Sequence, residues 1–123
     1  LLPGTTPQAM LEKVRKLAEP YGIEVTPTIM TPATVSPLEG KLFKILGAVA
    51  QRAVPGSVVT PFLSPGTTDS THFRNAGLKC CGLIPGLFST GDLDGMHGRN
   101  ERIEVENLVL GMKILYETIA SMN

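Results

Sequence analysis

"VVTPFLSPGTTDSTHFRNAGLKCCGLI", residues 58–84, is the stretch whose reading decides the fold. Residues 58–63 form a short apolar run of strand character, "HFRNAG" reads as a short helix closed by glycine, and residues 78–84 form a second apolar run. The turn-rich "SPGTTDS" separates the first run from the helix. Strands alternating with helices predict a parallel, layered α/β sheet, whose ligands gather in loops beyond the carboxyl ends of its strands. Two loops qualify on this reading, 64–71 and 85–101.

Working outward toward the amino terminus, Ser36-Pro37-Leu38-Glu39 combines a capping box with proline at the first helical position. Leu38, Leu42, Phe43, Ile45, Leu46, Val49 and Ala50 then give that helix a broad apolar face. Before it, "TPATVSPLEG" is rich in proline and threonine and places a domain boundary near residue 32. Residues 23–30, "IEVTPTIM", alternate as a half-buried strand does, with Pro27 marking an edge or a bulge. A helix opens the chain, started by Pro7 with Thr5 and Gln8 as a capping box; Met10, Leu11, Val14, Leu17 and Ala18 form its stripe, and "EPYG" ends it. Toward the carboxyl terminus, a glycine-rich loop carries His97, and a last helix from about Val105 presents Leu108, Val109, Met112, Leu115 and Ile119 on one face.

Composition narrows the function classes. An apolar fraction of 42% supports a real core, and eleven basic residues cancel eleven acidic ones. With no basic field and only 5% aromatic residues, nucleic-acid binding is disfavoured. No apolar run approaches the roughly 20 residues of a membrane span. No leader pattern opens the chain, and its start without methionine reads as a cut or processed chain. Cys80 and Cys81 are adjacent, which makes a disulfide between them geometrically poor and favours reduced, buried thiols. The compartment is left open, with the cytoplasm favoured.

His97 is one of only two histidines, the other being His72. Read from its surroundings alone, a single loop histidine is more often a structural hydrogen bonder than a metal ligand. A catalytic zinc site takes three protein ligands, so Asp92, Asp94, Glu101 or His72 would have to converge on His97, and their spacing does not demand it. The "SPGTTDST" loop offers amides and hydroxyls ahead of a helix, which suits an anion as well as it suits plain capping by Thr68 or Asp69. Ser70 has no evident base and orienting acid and is a poor nucleophile candidate.

"PFLSPGTTDSTHFRNAGLKCCGLIPGLF" followed by "GMHGRNERIEVENLVLGMKILYETI" resembles the carboxyl-terminal part of the zinc-dependent amidohydrolases that include aminoacylase, glutamate carboxypeptidase, succinyl-diaminopimelate desuccinylase and acetylornithine deacetylase. "LLPGTTPQAMLEKVRKLAEPYGIEV" resembles the later half of that family's lid, or dimerisation, domain. The resemblance implies residues 1–32 as a lid remnant, one helix and one strand of a ferredoxin-like domain, and residues 33–123 as the carboxyl-terminal part of a three-layer αβα zinc-hydrolase domain.

The resemblance implies that His97 is the last metal ligand, because "MHGRNE" is similar to the family's terminal "H-x-x-N/D-E" motif. It implies that Gly66, Thr67, Thr68 and Thr71 bind the substrate's carboxylate, with Asp69 and Glu101 supporting or capping. Many relatives carry arginine or lysine where this chain has Thr71, so carboxylate recognition falls to backbone amides, Thr71 and Arg74. It also implies two zinc ions, with cobalt or manganese as substitutes, a small N-acylated amino acid or peptide as substrate, and a homodimer formed through the lid. The other ligands and the general base belong to the family's upstream half, so the chain alone is expected to be inactive. Two other readings stand beside this one. The first is a non-catalytic remnant that self-associates through residues 7–30; the second is an anion-binding α/β domain using the "SPGTTDST" loop.

Overall fold

A computed structural model of the protein describes residues 1–64 and 66–123, so Pro65 of the 64–71 loop lies outside the described residues. The chain divides into two compact units, Leu1–Ser36 with Phe62–Cys80, and Pro37–Pro61 with Cys81–Asn123.

In the first unit, helix α1 runs Pro7–Ala18 and continues into a 3₁₀ turn, Glu19–Tyr21. Its cap is Thr6, not the expected Thr5: the Thr6 hydroxyl accepts the Ala9 amide at 3.2 Å, which places Pro7 at the first helical position. Helix α3, Ser70–Asn75, is the expected short helix. Both end the same way. The Gly22 and Gly77 amides donate to Glu19 and Arg74, and the amides of Ile23 and Leu78 donate to Ala18 and Phe73. This pattern needs a left-handed residue, supplied by Gly22 at φ 64° and Gly77 at φ 84°.

In the second unit, helix α2 spans Lys41–Ala53 and α5 spans Val105–Ala120, and these two helices pack together. Val49, 1% exposed, and Ile114, 4% exposed, are the buried apolar centre of the contact. At its margin, Lys41 Nζ donates to the Met122 carbonyl at 2.8 Å and Arg52 pairs with Glu117 at 3.7 Å. Helix α4, Thr90–Asp94, interrupts what the sequence presents as one long loop.

Three expectations are corrected. First, α2 does not begin at Ser36-Pro37: residues 38–40 turn and bend, and Gly40 precedes the helix without a side-chain cap. The Ser36 hydroxyl is held elsewhere, accepting from Arg74 Nη2 at 2.7 Å while Thr34 accepts from Nη1 at 3.3 Å. Second, residues 23–30, 58–63 and 78–84 form no strand, and no strand occurs among the described residues. A strand is stabilised by a neighbour's ladder, and these runs have none, so Val58 and Phe62 are each 84% exposed.

The third correction concerns α5, which exists as expected but buries a different face. Asn107, Gly111, Ile114 and Thr118 are inside, whereas Leu108, Val109, Met112, Leu115 and Ile119 are all exposed. The inner seam is chosen by close backbone approach. A Cβ on Gly111 would lie 2.5 Å from the Pro85 carbonyl oxygen, so only glycine admits that chain segment. Asn107, 7% exposed, is buried because its amide satisfies Leu87 on both sides: Oδ1 accepts from the Leu87 amide at 2.8 Å and Nδ2 donates to its carbonyl at 2.6 Å. Thr118 bonds back to the Ile114 carbonyl at 2.7 Å.

Candidate functional site

His97 stands in the turn that joins α4 to α5. The Met96 amide donates to Leu93 at 3.1 Å and the Gly98 amide donates to Gly95 at 2.9 Å, so the chain folds tightly around it. The histidine takes φ 62° and is the only residue other than glycine with positive φ among the described residues. Left-handed backbone costs an L-residue roughly 1–2 kcal/mol, and histidine is among the types that tolerate it best. The side chain is exposed.

The turn is anchored on both sides. Upstream, Ser89 and Asp92 form a reciprocal cap on α4: Ser89 Oγ accepts the Asp92 amide at 3.2 Å, while Asp92 Oδ2 accepts the Ser89 amide at 3.0 Å and its hydroxyl at 2.6 Å. The Ser89 hydroxyl first and the Ser89 amide second hold the Asp92 carboxyl below its ordinary value of 3.8; desolvation opposes them, and the charge of Arg102 adds a weaker lowering effect. Downstream, the Glu101 amide donates to the Gly98 carbonyl at 3.4 Å. Beside the turn lies a cleft of about 370 Å³ lined by Phe88, Asp92, Met96, Glu101, Arg102 and Ile103.

The expected substrate loop belongs to the first unit. There the Gly66 amide donates to Ser64 Oγ at 3.2 Å, Gly66, Thr67, Thr68 and Asp69 are exposed, and Thr71 is half-buried. Thr68 and Asp69 serve α3 through their carbonyls, which accept from Thr71 at 3.1 Å and His72 at 3.0 Å; the Asp69 carboxylate makes no capping bond. His97 and Glu101 belong to the second unit, as do Asp92 and Asp94, whereas His72 belongs to the first. Among the described residues, no three or more His, Cys, Asp or Glu side chains are placed to hold a metal ion together. The residues present therefore do not fit a complete metal site.

The sequence reading did not single out Phe88, Asn107 or Ile103, nor the capping box of α4. Its Ser-x-x-Asp signal at residues 89–92 was readable but is followed by no apolar run of helical period. No signal points to Asn107, whose role depends on a bond across 20 residues.

The match to known proteins now gives this arrangement its class. Residues 4–121 match the model of peptidase family M20/M25/M40, and the chain belongs to that family. Its members are generally metal-dependent. It is 25% identical over 109 residues to a probable carboxypeptidase S-like 2 of Dictyostelium discoideum, covering 87% of this chain and 21% of that protein. It is 30% identical over 121 residues to the N-fatty-acyl-amino acid synthase/hydrolase PM20D1 of Xenopus tropicalis, and 27% identical over 121 residues to that of Homo sapiens. Those alignments cover 97% and 95% of this chain, and 24% of each relative. The chain thus spans about a quarter or less of the curated relatives it matches. No solved structure matches it.

Proposed function

We propose that this chain is the carboxyl-terminal segment of a metal-dependent hydrolase that cleaves an amide next to a carboxylate-bearing residue, with N-acyl amino acids as the substrate class. The observation that carries the reading is His97: an exposed imidazole on a left-handed, doubly anchored turn, within a match to a peptidase family that covers nearly the whole chain. Residues held in sparsely populated backbone conformations cluster at functional sites, which supports a functional role for the turn. The names of two relatives supply the N-acyl amino acid class.

In this reading His97 is one donor of a zinc site whose other donors belong, by the family resemblance, to the upstream half of such proteins; among the described residues no three His, Cys, Asp or Glu side chains are placed to hold an ion together. An ion held there would supply an activated water, and His97 would be the donor this chain gives to it; the chain alone would be inactive. Gly66, Thr67, Thr68 and Thr71 receive the substrate's carboxylate, and Asp69 and Glu101 support the site. The layered αβα domain over residues 33–123, the lid remnant over residues 1–32 and a homodimer through the lid complete the proposal. The extended, unladdered runs suit strands that pair with segments outside this chain.

The deciding measurement is the metal content and amidase activity of the full-length protein carrying His97→Ala. Loss of about one equivalent of metal, with activity falling by orders of magnitude, supports the assignment. Full metal occupancy with unchanged turnover overturns it.

A further inference from the structure

Arg74 lies in α3, and its guanidinium reaches from that helix to residues 31–37, a segment without regular structure. Nη1 donates to Thr34 Oγ1 at 3.3 Å and Nη2 to Ser36 Oγ at 2.7 Å, across 40 and 38 residues of chain. All three residues belong to the first unit. Both acceptors are neutral hydroxyls, and among the described residues Arg74 pairs with no carboxylate. A hydrogen bond with one ionised partner is roughly twice as strong as a neutral one, so two of them make a firm link between segments far apart in the chain.

The sequence alone offers Arg74 as a receiver of the substrate's carboxylate, and the geometry points elsewhere. A guanidinium takes a carboxylate by two parallel bonds, from Nε with one Nη or from the two Nη together. Arg74 Nε is buried with no hydrogen-bond partner, which closes the first face, and both Nη of the second already donate to hydroxyls. The donors of this arginine are turned toward the protein itself.

What they hold is a helix that needs holding. Helix α3 has six residues, whereas an isolated helix is marginal below about 12–15. The Asp69 carboxylate gives it no capping bond, and His72 and Phe73 are exposed. Among the described residues, the side-chain hydrogen bonds that tie α3 to another segment are those of Arg74. Thr71 lies within α3, and the exposed residues 66–69 run directly into it, so the helix's place sets theirs.

We propose that Arg74 is a positioning residue: it fastens the loop at 66–71 to Thr34 and Ser36, so that Gly66, Thr67, Thr68 and Thr71 are held where an anion meets them, and it does not itself take that anion. The inference rests on the hydrolase reading for the anion's identity as a substrate carboxylate.

In the full-length protein two changes break the link from opposite ends: Arg74→Lys, which keeps the charge but not the fork, and Thr34→Val with Ser36→Ala, which keep the arginine. With dodecanoylglycine as substrate, each is expected to raise KM about tenfold, the factor that one hydrogen bond to a charged group supplies, while kcat and metal content hold. All three changes together are expected to do no more than either set alone, because both sets remove the same link. In the 123-residue chain, amide hydrogen exchange at residues 67–75 is expected to quicken by a similar factor in both variants, a readout that needs neither metal nor turnover.

A KM raised by Arg74→Lys alone, with the hydroxyl variant unchanged, would mean that the guanidinium touches the substrate, and would overturn the proposal. So would effects that multiply in the combined variant, or a fall in metal content or kcat at constant KM, which would reduce Arg74 to a plain fold contact. If exchange quickens in both variants while full-length His97→Ala keeps its metal and activity, the hydrolase reading falls and the link stands as an anchor of the loop. Unchanged exchange, with His97→Ala losing metal and activity, removes the link alone.

Discussion

At His97 two demands act on one residue: the turn needs a left-handed backbone at φ 62°, and the proposed chemistry needs an imidazole. They separate experimentally. His97→Gly removes the imidazole and the conformational strain together, whereas His97→Ala removes the imidazole and keeps a Cβ in the strained region. Both variants are expected to lose metal in the full-length protein, but in urea denaturation the glycine form should be the more stable by roughly 1 kcal/mol. Equal stabilities would mean that the turn relaxes around the substitution. The neighbouring anchor is Asn107, whose side chain satisfies both backbone groups of Leu87. Asn107→Leu keeps the branching and the number of side-chain heavy atoms but has no polar atoms, and leaves two groups short of partners. A loss of about 1–3 kcal/mol in denaturant unfolding is expected, together with faster amide exchange at Leu87. Gly111→Ala tests the same seam from the other side, because its Cβ would meet the Pro85 carbonyl at 2.5 Å; about 1–3 kcal/mol of destabilisation is expected.

The elements differ in how much of their cause lies within the element. Helices α1, α3 and α5 were legible because a helix's hydrogen bonds, caps and terminating glycines lie within a few residues of one another. Thr6 for Thr5 and Gly40 for Ser36 are errors of boundary, and the second has a specific origin in Arg74, which occupies the Ser36 hydroxyl from 38 residues away. The strands at 23–30, 58–63 and 78–84 were read from alternation and β-branched content, which describe a run able to join a sheet but do not supply the neighbour. Of the site, the His97 loop was legible through its motif, whereas the cleft was not, since it needs Phe88 and Ile103, 15 residues apart, to be brought together by Asn107 and α4. The short α4 depends most on its cap, and Ser89→Ala should cost about 1 kcal/mol. The pH dependence follows the depressed Asp92 value: the cap's contribution is fully present above the ordinary carboxyl value of 3.8 and is lost as pH falls through the lower folded value. Amide shifts of residues 90–94 should therefore hold at neutral pH and move toward coil values only once the pH is below the ordinary carboxyl value of 3.8. In Ser89→Ala that transition should begin at higher pH. A transition unmoved by the substitution would show that Ser89 does not set the Asp92 value.

For the molecule as a whole, exposed apolar area is the quantity to explain. The chain presents 9837 Å² to solvent, whereas two separately compact units of these sizes would together present about 7,700 Å². Many large apolar side chains are exposed, and α5 shows how some of them are organised: around the helix, the buried seam of Asn107, Gly111, Ile114 and Thr118 gives way to Leu108, Met112, Leu115 and Ile119, and only then to Glu106 and Lys113. The helix buries its mixed inner seam in packing on α2 and leaves its apolar face open. Among the described residues, no helix is long and apolar enough to cross a membrane, so a lipid span does not explain that open face. Contiguous apolar surface of this kind marks an interface. The 123-residue chain is therefore expected to bind a hydrophobic dye and to sediment as more than a monomer, and Met112→Lys with Leu115→Lys should reduce both effects while changing unfolding free energy by no more than about 0.5 kcal/mol. In the full-length protein the same pair should behave oppositely if other segments cover α5, costing about 3–5 kcal/mol, because two ammonium groups would then be buried without partners. A small effect in both settings would mean that the face stays open in the complete protein, and that the surface excess belongs to the extended runs at 23–30 and 58–63, where Ile29 and Phe62 stand exposed.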